Sequence, residues 1–326
     1  MMKRRIKIKK PIRIIFFGTP EFSCPSLELL AKQSQFEVSV VTVPPKPAGR
    51  SQTNLLPSAV KILADSLQLP VFEPENLLDQ DFLNRISSLK PLLFVVAAYG
   101  KIIPPKLLRL PPHGALNLHP SLLPKYRGPS PVEAVIRAGE TETGVSIMLL
   151  DDKIDHGPIL SQEIVPIRER ETALELGPRL AKIGAQLLAK TIPGWLANEI
   201  VPVPQNHEKA TYTKLLTRED GRIFWDTPAM ALERQIRAYQ GWPGSYFIWR
   251  RHNEMLRVKV EAARVVEGAI AEKPYGSVWQ AAEAPIAVTT IDGSLAVDQL
   301  CLEGKESVSA ADFINGYPDI IAATLL

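Results

Sequence analysis

"IRIIFFGTPEFSCPSLELLAKQ", residues 12–33, runs from an apolar segment through a Gly-Thr-Pro turn into apolar positions at helical spacing, Phe22, Leu27, Leu29 and Leu30. A short apolar run stopped by glycine and proline reads as a buried strand, and the spacing after it as a helix. The alternation continues. "FEVSVVTV" (36–43) and "LLFVVAA" (92–98) read as strands, "PSAVKILADSLQ" (57–68) and "DQDFLNRISSL" (79–89) as helices. Strands separated by crossover helices predict a parallel sheet, so residues 1–205 are expected to form a Rossmann-like, open α/β domain. In its first turn, "GTPEF", Pro20 stands where a dinucleotide fingerprint needs its second glycine, so NAD is not expected.

A length of 326 residues suits two domains. Prolines and polar residues in "NEIVPVPQNHEKATYTK" predict a linker over 198–212. Beyond it, in 213–326, one helical stretch (228–239) precedes short alternating segments with Gly and Asp-Gly turns, which predict a small, OB-like β-barrel. The apolar runs reach about half of the roughly 20 residues that span a bilayer, so no membrane segment is expected. The basic arm, residues 1–11, has the flank of a signal peptide, but the apolar stretch that follows, Ile12–Phe17, is too short for one. Cys24 and Cys301 lack metal or redox spacing, which points to free thiols in a reducing cytoplasm. Net charge is +3, and seven basic residues lie in the first thirteen positions, so affinity for nucleic acid must come from local patches. Nothing signals a symmetric interface, and a monomer is expected.

The chemistry gathers in "GALNLHPS" (114–121) and "LLDDKIDHGPIL" (149–160). In a strand, Asn117 and His119 share one face and Leu116 and Leu118 the other. Pro120 then stops the strand, leaving the polar pair at its C-terminal end, where open α/β sheets bind ligands. The acidic turn 151–155 separates two apolar runs that can pair as neighbouring strands and bring Asp155 to His119. An amide donor, an imidazole and a carboxylate suit acyl transfer to an amine: Asn117 faces an oxyanion, His119 moves protons and Asp155 orients it. No serine or cysteine is placed in this cluster, so the nucleophile would belong to the substrate. Taken singly, Asn-x-His also fits an edge or capping pair, and 151–155 a solvated turn. A metal site from His113, His119 and Asp155 lacks zinc-ligand spacing.

"FFGTPEF", "PPKPAGR", "VVAAYGKIIP", "NLHPSLLPKYRGPSP", "ETGVSIMLLDDKIDHGPIL", "ATYTKLLTREDGRIFWD" and "IRAYQGWPGSY" together resemble the methionyl-tRNA formyltransferases, within the wider class of 10-formyltetrahydrofolate-dependent transferases and hydrolases. The resemblance runs from about residue 12 to the C-terminus. It implies a formyltransferase topology, 10-formyltetrahydrofolate as co-substrate without a metal, and initiator methionyl-tRNA as partner. It assigns Asn117, His119 and Asp155 to catalysis and Ser121, Leu122, Leu123 and Pro124 to the folate site. It also places Lys46 and Arg50, in the loop 44–58, at the acceptor end of the tRNA; the residues alone equally fit a variable surface loop. In the second domain Arg234, Arg237, Arg250 and Arg251, with Arg257 and Lys259, are expected to face RNA, and Trp225, Tyr246, Trp249 and Trp242 to enter the core. His156 departs from the usual small or hydroxyl residue, and the basic arm lies outside the shared pattern, as a solvated tail or an aid to RNA affinity. The rival readings are a formyltransferase acting on an amino sugar nucleotide and a formyltetrahydrofolate hydrolase.

Overall fold

The computed structural model describes residues 11–48, 54–266, 273–281 and 283–326. They form two compact units. The first comprises residues up to Gly128, Glu142–Pro166 and Gly177–Tyr212; the second comprises Pro129–Thr141, Ile167–Leu176 and Thr213–Leu326. The contiguous division expected from the linker composition is therefore incomplete, because two segments that precede the linker belong to the second unit.

In chain order, β1 (Ile12–Gly18) leads to α1 (Cys24–Ala31), β2 (Phe36–Val41) and a short hairpin of β3 (Lys46–Ala48) and β4 (Asn54–Leu56). Next come α2 (Ala59–Ser66), β5 (Val71–Phe72), α3 (Gln80–Ser88), β6 (Leu93–Ala97), α4 (Pro105–Leu108) and β7 (Ala115–His119). The helix α5 (Pro131–Ala138) belongs to the second unit; β8 (Glu142–Leu149), β9 (Ile159–Pro166) and most of α6 (Ala173–Leu196) return to the first. Local chemistry fixes the helix starts: Ser58 and Asp79 accept from the backbone N–H groups of Lys61 and Phe82.

The first unit is built on a seven-stranded sheet in the order β5-β2-β1-β6-β7-β8-β9. Strands β5 to β7 run parallel, as expected, and β8 and β9 extend the sheet antiparallel. Because β1 lies between β2 and β6, strand order reverses there, which opens a crevice at the carboxyl ends. The loop after β1 is tied across this point: Thr19 Oγ1 donates to Tyr99 O and Ser23 Oγ to Ala97 O, each at 2.6 Å. On one sheet face Ile15, Phe17, Phe94, Val96 and Ala115 pack against Phe82, Ile86 and Leu107 of α3 and α4. On the other, Gly184 of α6 leaves room for Leu118, since a Cβ at Gly184 would lie 2.7 Å from Leu118 Cδ1.

The second unit pairs α5 with α7 (Ala229–Tyr239) and carries an antiparallel sheet. Its strands are β10 (Ser245–Arg251), β11 (Glu254–Val266), β12 (Val278–Ala281), β13 (Ala284–Thr289), β14 (Ser294–Leu302) and β15 (Val308–Ser309), followed by α8 (Ala310–Gly316). The order is β10-β11-β14-β13-β12, with β15 beside β14. The C-terminal segment spans the two edges. Val278 exchanges hydrogen bonds with Ala322 and Ala323, Ile248 exchanges two with Leu326, and Leu325 N donates to Gly276 O at 2.9 Å. That segment supplies the remaining wall of the expected barrel and covers part of both edges.

Trp225, Tyr246 and Trp249 are buried, Trp225 from a turn rather than a strand, whereas Trp242 is 57% exposed, correcting its expected place in the core. Leu325 is buried within the barrel cluster. Leu325→Ala should destabilise the second unit by about 2–5 kcal/mol, read from denaturant unfolding followed by tryptophan fluorescence, and deletion of 322–326 should add self-association measurable by light scattering.

Candidate active site

Alternation along β7 sends Asn117 and His119 to the face opposite Leu118, and both are buried. The antiparallel pairing of β8 with β9 returns the acidic turn to the end of β7, as the sequence suggested. Asp155 lies in the left-handed region, with φ of 46°, which aspartate tolerates better than most residues. Gly157 is required two residues on, because a Cβ there would overlap the carbonyl oxygen of Leu149.

The three side chains converge. Asn117 Nδ2 donates to Asp155 Oδ1 at 3.3 Å, Gly128 N donates to Oδ2 at 2.8 Å, and His119 Nδ1 lies 3.6 Å from Oδ2. His119 Nε2 is 2.9 Å from Tyr126 O, a group that only accepts, so Nε2 carries a proton. The Nδ1 side of the ring then faces the carboxylate, and that contact is attractive when Nδ1 is protonated as well. At 3.6 Å the Nδ1–Oδ2 contact is longer than a hydrogen bond, and the second N–H of the Asn117 amide is directed elsewhere than Oδ1. An amide and an imidazole beside one carboxylate are groups able to serve a developing oxyanion. Ser121 supplies no nucleophile: it is fully buried and its hydroxyl donates to Lys125 O at 2.7 Å.

The Ser121–Pro124 loop is anchored from beneath. Ser146 Oγ donates to Ser121 O at 2.6 Å and accepts from Leu123 N at 3.2 Å, while Gln162 Nε2 donates to Leu123 O at 3.0 Å. Ser121 and Leu123 are buried and Leu122 and Pro124 half-buried, so the latter two are the members with accessible surface.

Three residues that frame this cluster, Arg127, Gln205 and Tyr212, are marked by no periodic spacing in the sequence. Arg127, fully buried, reaches Gln205 Oε1 through Nε at 3.1 Å and Nη2 at 2.6 Å, and Tyr212 Oη through Nη1 at 3.1 Å. Gln205 Nε2 donates to Asp155 O at 2.9 Å and Gly157 O at 2.7 Å. The expected linker is thus part of the site's framework. His156 neither joins the trio nor points freely to solvent: Nδ1 meets Asp151 Oδ2 at 2.7 Å, and its ring stacks on His207 at 4.0 Å. Among the described residues no group of three or more His, Cys, Asp or Glu is arranged to hold a metal ion.

Two family models match the chain, "Formyl transferase" over residues 12–192 and "Formyl transferase, C-terminal domain" over 215–318. The chain belongs to the formyl transferase family. Among curated relatives, the methionyl-tRNA formyltransferase of Roseiflexus sp. (strain RS-1) is 43% identical, with 94% of this chain and 93% of that protein covered. That of Chloroflexus aurantiacus (strain ATCC 29366 / DSM 635 / J-10-fl) is 48% identical over 79% of this chain and 82% of its own. An N-formyltransferase from Helicobacter canadensis, solved with folinic acid and dTDP-3-aminofucose, shares the fold with a TM-score of 0.63 at 21% identity, covering 88% of this chain and 98% of that one. HypX from Aquifex aeolicus, solved with tetrahydrofolic acid, gives a TM-score of 0.60 at 17% identity over 95% of this chain and 48% of its own.

The basic residues expected at RNA fall into different environments within this family member. Lys46 on β3 and Arg250 on β10 are exposed, and Arg50 lies outside the described residues. Arg237 does not fit its expected role: its guanidinium bonds both oxygens of Glu233 and donates to Glu171 O at 2.9 Å. Arg251 bonds both oxygens of Asp319 and lies over Trp249 and Tyr317, and Arg234 covers Gly139 at the end of α5. These three are held by the second unit itself.

His207 Nδ1 accepts from Arg127 Nη2 at 2.9 Å, which requires a neutral acceptor nitrogen. Partial desolvation, with the positive fields of His156, Arg127 and Lys153 outweighing Asp151, holds its pKa below the ordinary imidazole value. The folded state therefore resists this protonation more than the unfolded chain does. Its contribution is complete above the unfolded value of about 6.5 and is lost as pH falls through the lower folded value. A His207→Gln chain should show a shallower fall of Tm than wild type between about pH 7 and pH 5; equal slopes would contradict the assignment.

Proposed function

We propose that this chain transfers the formyl group of 10-formyltetrahydrofolate to the free α-amine of methionyl initiator tRNA, with Asn117, His119 and Asp155 as the catalytic residues. The observation that carries the reading is the convergence of those side chains on one carboxylate at the end of β7, in a chain 40–48% identical to relatives named methionyl-tRNA formyltransferases. The solved sugar N-formyltransferases share the fold at about a fifth identity, which favours the tRNA substrate over an amino sugar nucleotide.

An α-amine with a pKa of about 7.7–8.0 is substantially neutral near pH 7 and needs little activation. Its nitrogen attacks the formyl carbon on N10, forming a C–N bond and placing charge on the carbonyl oxygen. The Asn117 amide and the His119 imidazolium stabilise that charge, and Asp155 keeps the imidazolium oriented. The attacking nitrogen loses its proton with Asp155 assisting, N10 gains one, and cleavage of the N10–C bond releases tetrahydrofolate and formylmethionyl-tRNA. Leu122 and Pro124 border the folate, with Ser121 and Leu123 fixing their loop. Lys46, Arg50 and Arg250 contact tRNA phosphates, positioning the acceptor end without reading bases. The enzyme acts as a cytoplasmic monomer; among the described residues no helix is long and apolar enough to cross a membrane.

Purified protein, methionyl initiator tRNA and 10-formyltetrahydrofolate should yield formylmethionyl-tRNA, and Asn117→Ala, His119→Ala and Asp155→Ala should each lower kcat/KM by roughly 10²–10⁴-fold. Folate consumption without transfer to the tRNA would instead identify a hydrolase or another acceptor. Lys46→Ala and Arg250→Ala should raise KM for the tRNA, leave kcat near wild type and reduce the slope of log affinity against log salt by about one each.

A further inference from the structure

The segment 198–212 has the composition of a spacer, yet it is fixed to the sheet. Val203 and Ile159 exchange two backbone hydrogen bonds at 2.8 Å, which carries the chain past the start of β9 and places Gln205 beside the turn that holds Asp155. Gln205 is buried, and its amide is used at both ends: the two Nε2 protons go to the carbonyls of Asp155 and Gly157, and Oε1 accepts two donors from Arg127. The residue after Arg127 is Gly128, whose N–H donates to the Asp155 carboxylate. Asp155 is thereby gripped twice, through its main chain by Gln205 and through its side chain by Gly128, with Arg127 joining the two grips.

The grip has a physical purpose. Left-handed backbone at a non-glycine residue persists where surrounding contacts hold it, and the carbonyls of Asp155 and Gly157 flank the strained turn. We propose that Gln205 is a positioning residue for formyl transfer, an amide clamp that with Arg127 fixes Asp155 against His119 and Asn117. The role rests on the catalytic assignment above, and it is distinct from the trio because Gln205 touches no reacting atom.

Two substitutions separate the clamp from a mere packing role. Gln205→Leu removes every polar contact. Gln205→Glu keeps an acceptor for Arg127 but cannot donate to either carbonyl, so it preserves the Arg127 contact and abolishes the clamp. Both should lower kcat by roughly 10²-fold, as expected for misplacement of a catalytic group by about an ångström, while KM for tRNA and folate stays within about twofold. In an Asp155→Asn background, Gln205→Leu should cost little more, because the group it positions is already disabled. Independently of turnover, the Gly128 amide proton, shifted downfield by its bond to the carboxylate, should move upfield in the NMR spectrum of both single variants. Wild-type kcat in Gln205→Glu, full additivity with Asp155→Asn, or an unmoved Gly128 resonance would each overturn the clamp. Failure of the wild type to formylate methionyl-tRNA would sink the substrate reading instead, and the Gly128 resonance would still decide the clamp.

Discussion

The Asp155 carboxylate is the constraint on which the rest of the first unit is arranged. A charge largely removed from water is tolerated where polar groups surround it, and here they arrive from three directions: the Asn117 amide and the Gly128 N–H as donors, and the His119 ring 3.6 Å away. Each direction demands a structural feature. The β7 alternation supplies Asn117 and His119 together, the antiparallel β8–β9 pair returns Asp155 to the end of β7, and Gly157 lets the returning chain pass Leu149. An all-parallel sheet would carry the chain away from that point through a crossover. The antiparallel extension is thus the local departure from a Rossmann-like sheet that makes the site possible.

What could be read in the residues follows from how local each signal is. Strand and helix periodicity, the pairing of Asn117 with His119, and the return of Asp155 through an acidic turn depend on spacings of two to a few residues. Arg127 and Gln205 have no such spacing. Their contact spans 78 positions, and they sit among proline and polar residues that resemble a surface loop and a linker. The same limit explains the unit boundary, since α5 pairs with α7 through apolar faces that look alike in isolation. Long-range polar pairing leaves no periodic trace.

In the second unit, charge by itself did not indicate availability. Arg237 and Arg251 lie in a sequence cluster with Arg250, yet only Arg250 projects without one of the carboxylate chelates that hold the other two. Helical spacing places Glu233 four residues before Arg237, a favourable i,i+4 order, and the half-buried setting strengthens the pair beyond what a surface bridge offers. Arg251 is drawn to Asp319 and to the Trp249 and Tyr317 rings by the same fold that closes the barrel. Arginines that hold the platform and arginines that can meet a phosphate are separated by partners far away in the chain.

Among the described residues no serine or cysteine nucleophile joins Asn117, His119 and Asp155, which fits the electrostatics of the site. A serine or cysteine nucleophile needs a base whose lone pair faces it, but His119 gives its Nε2 proton to Tyr126 O and turns Nδ1 to a carboxylate. Neither ring nitrogen is turned to a neighbouring hydroxyl, and Ser121 has its own hydroxyl committed to Lys125 O. An amide donor and an imidazole held beside a carboxylate can lower the energy of an oxyanion and do nothing to generate a nucleophile. The arrangement therefore demands a substrate that arrives already nucleophilic, and a neutral α-amine near pH 7 meets that demand without help from the chain.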